Sequence, residues 1–291
     1  MKGYIMNRPI KIMIIFTTLL GIHFSSGAED RIRVVSLSPN LTEMIFYLGK
    51  GDCLVGRSSA CDYPAEAKKL PVAGKFGVPS MEFIAGLKPD YIVSSGIRDD
   101  GIRKNIEELG IKFLLLPNET IDDYYMAVSE LGRILNCNEQ ADKEIQRVKK
   151  IFDMEKKITG TIPSEKRPRV YLEVWDNPLM TVGGRSFVHD LIAMSGGVNV
   201  AGKENIGYLK CSREWVILSK PDVIIAPAMG KFAGGEIKKR VGWSEIPAVK
   251  NDRIYTSMDE SLIYRLGPRM TESLTIFRKC FFPDGIPVSV E

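Results

Sequence analysis

Ser80–Val93 reads SMEFIAGLKPDYIV and, 132 positions later, Ser212–Ile225 reads SREWVILSKPDVII, with six of fourteen positions identical. Each copy places a serine (Ser80, Ser212) where it can cap a helix N-terminus, and a glutamate (Glu82, Glu214) in the first turn, where the helix dipole favours negative charge. Lys-Pro-Asp then precedes an apolar strand. Pro89 and Pro221 stop the helices because a residue before proline avoids the α region. Two copies of this unit imply two similar lobes. First-turn charge explains each glutamate locally, whereas their equivalent placement is what a partner of two-fold symmetry would contact.

Outward from the two copies, short apolar runs alternate with helical patterns. Strands are expected at Ile32–Leu37, Cys53–Gly56, Tyr91–Ser94 and Phe113–Leu116, and helices at Pro39–Leu48, near Arg98–Leu109 and at Ile121–Leu135. The alternation resumes with a strand at Arg169–Val174, a helix near Phe187–Met194, strands at Val223–Ala226 and Arg253–Thr256, and a last helix from about Pro268 to Phe281. Strand, helix, strand in this rhythm gives parallel α/β architecture. Between the halves, Asn138–Ile158 forms a polar helix with a narrow apolar stripe at Ala141, Ile145, Val148, Ile151 or Phe152, and Ile158. The expected organisation is an N-terminal lobe over 29–136, a linking helix over 137–160 and a C-terminal lobe over 161–291.

Residues 1–28 are expected to be a signal peptide. Lys2, Arg8 and Lys11 precede or enter an apolar run from Ile12 towards Phe24, and Ser26-Gly27-Ala28 supplies the small residues of an export cleavage site. No other stretch reaches the roughly 18 to 20 apolar residues that span a bilayer. Three of the 40 basic residues and none of the 36 acidic ones precede Glu29, leaving 37 against 36. A nearly neutral mature chain argues against nucleic acid or an anionic membrane as partner.

Catalytic and metal chemistry find little footing. There is no Gly-x-Ser-x-Gly elbow, and His189 is the one histidine beyond the leader. The cysteines at 53, 61, 137, 211 and 280 are too dispersed for a zinc knuckle, and Cys61 and Cys211 are expected to be buried or free thiols. Gly183-Gly184 and Gly196-Gly197 fit no phosphate-binding fingerprint and read as turns flanking the helix from Phe187. Asp122-Asp123 sits at a helix start, where capping explains it. Neither an enzymatic role nor a resident cofactor or metal is expected.

The doubled glutamate and Lys-Pro-Asp signature, the loop Cys61-Asp62-Tyr63-Pro64-Ala65-Glu66-Ala67, and Gly183-Gly184 with Ser195-Gly196-Gly197 together resemble the vitamin B12 and iron-chelate solute-binding proteins of ABC importers. The likeness covers Arg31–Phe282, and Ser38-Pro39-Asn40-Leu41-Thr42-Glu43 with Val55-Gly56 looks most like the cobalamin-binding branch. This resemblance implies two Rossmann-like α/β lobes on a single rigid interdomain helix, with a metal chelate in the cleft between them. It further implies a periplasmic monomer that hands a corrinoid to a permease dimer, with Glu82 and Glu214 docking to permease arginines. Cleft-lining candidates by position are Tyr63, Phe76, Trp175, Tyr208 and Tyr264, since a corrinoid is a broad, largely apolar disc with an amide fringe. A ferric siderophore or haem would use the same lobes and glutamate pair. Haem would need Tyr63 or Tyr208 as its ligand, and an acidic siderophore would use arginines such as Arg57, Arg98, Arg185 or Arg265.

Overall fold

Val34–Ser36 (β1) alternates its side chains between two cores, Val34 on one face and Val35 on the other, as a fully covered strand must. The computed structural model containing it describes Met1 and residues 31–227 and 233–287. The expected signal peptide therefore lies outside the described residues. The fold that follows is that of Ile32 onward.

After β1 the first lobe runs through α1 (Pro39–Tyr47), β2 (Leu54–Arg57), the two-residue strands β3 (Gly74–Lys75) and β4 (Val78–Pro79), α2 (Met81–Leu87), β5 (Tyr91–Ser94), α3 (Asp100–Glu108), β6 (Lys112–Leu115) and α4 (Ile121–Ile134). Its sheet has the order β2-β1-β5-β6, with every pairing parallel. Helix α5 (Asn138–Gly160) then leads to the second lobe, made of β7 (Arg169–Asp176), β8 (Leu179–Val182), α6 (Phe187–Met194), β9 (Val198–Asn199), β10 (Tyr208–Lys210), α7 (Arg213–Ser219), β11 (Val223–Ile225), α8 (Ala233–Lys238), α9 (Pro247–Lys250), β12 (Ile254–Tyr255), α10 (Glu260–Tyr264) and α11 (Glu272–Phe281). Here β9 and β11 both run parallel to β7, and β12 parallel to β11, repeating the first lobe's order.

Four local expectations change. The second lobe adds an antiparallel pair, β8 on the distal half of β7 and β10 on β8, so Tyr208 opens a strand where a loop is expected. The last helix begins as a 3-10 turn at Pro268–Thr271 before α11, and Ile158 is 42% exposed rather than part of the apolar stripe. The serine caps also diverge. Ser212 Oγ accepts from Trp215 N at 3.1 Å, whereas Ser80 makes no side-chain cap.

The Lys-Pro-Asp signature has a structural purpose that is the same in both lobes. Lys88 (φ 46°, ψ 57°) and Lys220 (φ 44°, ψ 58°) end their helices in the left-handed conformation, escaping the α region that the following proline disfavours. Asp90 and Asp222 then accept from the backbone N–H of Arg33, just before β1, and of Arg169, the first residue of β7, at 2.7 and 2.8 Å. The two arginine side chains return the favour by donating to the last carbonyls of α2 and α7, Leu87 and Lys88 in one lobe and Ser219 in the other. Helix, proline stop and strand are thereby stitched into one unit, twice.

Helix α5 is fastened to both lobes. Alongside Ala141, Val148 and Phe152 it buries Glu144, which accepts from Tyr124 of α4 and from Arg147, and Glu155, which takes both bonds of Arg278 of α11 at 2.5 and 2.7 Å. Arg147 also donates to the carbonyl of Pro268 at 2.9 Å. One apolar core runs from Leu41 and Met44 through Tyr124, Val148 and Phe152 into Phe187, Leu274 and Phe277, so the lobes share a hydrophobic floor along the linker side. Separate clusters cover the outer sheet faces, around Ile84 and Ile92 in one lobe and Ile224 and Trp243 in the other.

Candidate functional site

In each lobe the sheet order reverses at its first strand, between β1 and β5 and between β7 and β11, and such switch points form the ligand crevices of open α/β sheets. At the first of these, Ser38 ends β1's run into α1, but its hydroxyl does not cap that helix. It accepts instead from Ser95 N, beyond β5, at 2.9 Å, while Ser95 Oγ donates to Asn40 Oδ1 at 3.2 Å. These bonds hold together the carboxyl ends of β1 and β5.

Above them lies a cavity of about 300 Å³, lined by Pro39, Asn40, Ala60, Phe76, Ser95 and Asn118 from the first lobe and by Tyr264 and Arg265 from the second. Phe76 lies over Gly96, where an added Cβ would meet the ring at 3.2 Å, and stays 53% exposed towards the cleft. Tyr264 is held by its hydroxyl, which donates to the Glu173 carbonyl at 3.0 Å, and burial raises its phenol's pKa. Tyr208 comes near Tyr264, and burial raises its pKa too, against a hydrogen bond with Ser186. Gly183 and Gly184 at the end of β8 permit this approach of strands, since a Cβ on either would sit within 2.3 Å of the Ile206 or Gly202 carbonyl.

An ionic clasp joins the lobes beside this cavity. Glu43 of α1 is buried, and Arg269 grips both its oxygens at 2.9 and 2.8 Å while Arg265 donates to it at 3.0 Å. Arg265 also reaches Asp62 at 2.6 Å, and this bond holds the Asp62 carboxyl below its usual range. For Arg265 burial pushes the pKa down, yet the bonds to Asp62 and Glu43 outweigh it and the net direction is up. The guanidinium of Arg269 lies 3.7 Å from the centre of the Tyr63 ring.

The structure brings Phe76 and Tyr264 together and sets Tyr63 at the clasp, while Tyr208, 37% exposed at the start of β10, is not among the cavity-lining residues. Trp175 is not among the cavity-lining residues. It ends β7 at 56% exposure, its indole N–H donating to the Asn177 carbonyl at 3.0 Å. His189 belongs to the second lobe's interior, near Asn199 Nδ2 at 3.3 Å and against Gly202. Among the described residues there is no cluster of three His, Cys, Asp or Glu side chains suited to a metal ion, and no helix long and apolar enough to cross a membrane.

Glu82 and Glu214 are both exposed in the first turns of α2 and α7. The Glu214 carboxyl is held below its usual range by its own backbone N–H and by Ser212. Each has an exposed apolar neighbour: Phe83 beside Glu82 is 45% exposed, and on the other lobe Leu218 is 78% exposed one turn beyond Glu214. Asn40, Ser95, Asn118 and Arg269 were not among the expected site residues. Asn40 stands inside the Ser38–Glu43 run, but nothing local distinguishes it from a turn residue.

Two α/β lobes with a cleft at paired switch points have a counterpart among known proteins, and the family described as periplasmic binding protein matches residues 34–260. The chain belongs to the periplasmic binding protein family. It is 29% identical over 259 residues, 87% of this chain and 80% of the other, to the uncharacterized ABC transporter substrate-binding lipoprotein YvrC of Bacillus subtilis strain 168. It is 26% identical over 243 residues, 82% of this chain and 84% of the other, to the vitamin B12-binding protein of Photorhabdus laumondii subsp. laumondii. Among solved structures, the periplasmic haem-binding protein RhuT of Roseiflexus sp. RS-1 superposes with a TM-score of 0.76 at 24% identity, covering 87% of this chain and 98% of that one. This periplasmic binding protein is therefore a solute-binding component of an ABC importer.

Proposed function

We propose that this binding protein captures a corrinoid of the vitamin B12 class in the interlobe cleft and delivers it to the importer's permease. The observation that carries this reading is the cavity shared by the lobes, where Phe76 and Tyr264 present aromatic surface beside neutral polar groups from Asn40, Ser95 and Asn118. A flat, amide-fringed macrocycle is matched by that mixture. Tyr208 extends the aromatic surface, Tyr63 closes it at the clasp end, and Trp175 contributes from the rim. Kinship with a protein named for vitamin B12 binding supports the same ligand class.

The alternative, haem or a ferric siderophore, is favoured by the fold shared with RhuT. Of the side chains that ligate haem iron, the imidazole and the phenolate are the candidates here. His189 packs in the second lobe, the Tyr264 hydroxyl is committed to a carbonyl, and burial works against a Tyr208 phenolate, which leaves Tyr63, 45% exposed beside Arg269, as the haem candidate. Arg265, the siderophore candidate at the cavity, is already shared between Glu43 and Asp62. These features support the corrinoid.

Glu82 and Glu214, one on each lobe, are the proposed contacts to permease arginines, each with an exposed apolar neighbour that would be covered on docking. The protein acts as a periplasmic monomer after removal of residues 1–28, and performs no catalysis. Calorimetric titration of the chain beginning at Glu29 with cyanocobalamin, beside haemin and ferric siderophores, tests the ligand. One-to-one binding of the corrinoid alone sustains the proposal, and binding of an iron chelate alone replaces it.

A further inference from the structure

Four buried side-chain nitrogens lack a hydrogen-bond partner among the described residues: Asn40 Nδ2, Arg57 Nε, Trp243 Nε1 and Arg253 Nε. Only Asn40 belongs to a residue lining the cleft cavity. The residue is 4% exposed, and its other amide atom is already spoken for by Ser95. A buried donor without an acceptor is a standing cost in the empty protein, of the kind that binding can relieve.

Its position adds a second, independent feature. Asn40 is in the first turn of α1, a nine-residue helix whose N-terminus has proline at its start and no side-chain cap, because Ser38 Oγ is taken by Ser95 N. The orphan amide donor thus belongs to a residue of the cavity wall and lies beside helix N–H groups that no side chain caps. The nearby charges decide what kind of acceptor suits it. Arg265 and Arg269 are matched by Glu43 and Asp62, with Asp259 3.7 Å from Arg269, so among the described residues lining the cavity no unpaired cation stands ready to compensate a buried anion. A carboxylate brought here would lose its hydration without a counter-charge, whereas a neutral carbonyl needs only the donor.

Resting on the corrinoid reading, we infer that Asn40 is a specificity-determining residue whose Nδ2 donates to a neutral amide oxygen on the rim of the bound chelate, selecting amide-fringed over carboxylate-fringed ligands. Phe76 and Tyr264 hold the disc and Asn40 reads its edge.

The substitution Asn40→Asp separates this role from a structural one. Aspartate keeps an acceptor for Ser95 Oγ, places a carboxylate in the first turn of α1, where the helix dipole favours it, and removes the orphan donor. The expected result is a folded empty protein that melts lower than the wild type, because the new carboxylate is buried, with cyanocobalamin and cobinamide each bound about tenfold more weakly, the equivalent of ~1.4 kcal/mol. Cobinamide keeps rim amides but lacks the nucleotide phosphate, so an effect on cyanocobalamin alone would assign the contact to phosphate and overturn the amide assignment. Corrinoid affinity within roughly twofold of wild type also overturns it. Should the wild type bind no corrinoid, the proposed ligand fails but this inference is still decided. Weakened binding of a ferric hydroxamate, whose oxygens are amide-like, upholds it, and unimpaired binding of hydroxamate or haemin by the variant refutes it.

Discussion

Replacing Glu43 by glutamine should be among the most damaging single changes outside the apolar core. Glu43 is 3% exposed and accepts three bonds from two guanidiniums whose side chains are 21% and 15% exposed. The amide nitrogen of glutamine would face an arginine donor, and both cations would lose their shared counter-charge. Breaking a buried pair on one side costs about 3–5 kcal/mol, and partial solvent access to the arginines places this case near 3. At about 2–4 °C per kcal/mol for a chain of this size, the melting temperature should fall by roughly 6–12 °C. Arg269→Met should cost less, since Arg265 still holds Glu43. Glu43→Leu combined with Arg269→Met should recover part of the loss, because a buried charge without a partner is what penalises the single changes. Thermal melts at low and high salt are the assay. A Glu43→Gln melting temperature within about 2 °C of wild type, or a loss that vanishes in molar salt as a surface pair's would, refutes the buried clasp.

Glu82→Ala with Glu214→Ala should leave ligand affinity unchanged while abolishing stimulation of reconstituted importer ATPase and transport; intact transport would remove the docking assignment. Phe76→Ala should change stability by no more than about 0.5 kcal/mol, because the ring is half exposed, yet weaken corrinoid binding by about 2 kcal/mol in calorimetry. Burial raises the Cys280 thiol to about 11. Its contribution to stability is therefore complete below the unfolded thiol's pKa of about 8.5 and drains away as pH climbs from there towards 11, with alkylation at pH 8 requiring denaturant. Asp62 has the opposite sign. Its bond to Arg265 lowers the carboxyl's pKa, so that increment is present above about pH 4 and lost on acidification, measurably less in Asp62→Asn.

Local chemistry was legible in the chain. The doubled helix-stop-strand signature, the parallel α/β rhythm and the linker each depend on residues a few positions apart, where propensity and proline sterics operate. The β8–β10 addition was not, because Leu179–Val182 and Tyr208–Lys210 are short and each becomes a strand only by pairing. Nor was the clasp, whose partners are 222 and 226 residues apart. Glu144 and Glu155 look like solvated charges on a polar helix, and only the arginines and tyrosine of the folded lobes make their burial tolerable. Of the expected cleft residues, aromatics could be proposed by position, while the orphaned amide of Asn40 emerges from a three-dimensional count of donors and acceptors.

Glu144 and Glu155 stand eleven residues apart on α5, one tied to each lobe. At 1.5 Å per residue this is a strut of roughly 16 Å, anchored at both ends and resistant to bending. Wide closure would have to break an anchor or the clasp, so the empty and loaded protein present nearly the same outline to the membrane. Empty copies should then compete with loaded ones for the permease. The importer must therefore sense cargo through what fills the cleft mouth, and the ratio of binding protein to permease becomes a determinant of uptake rate.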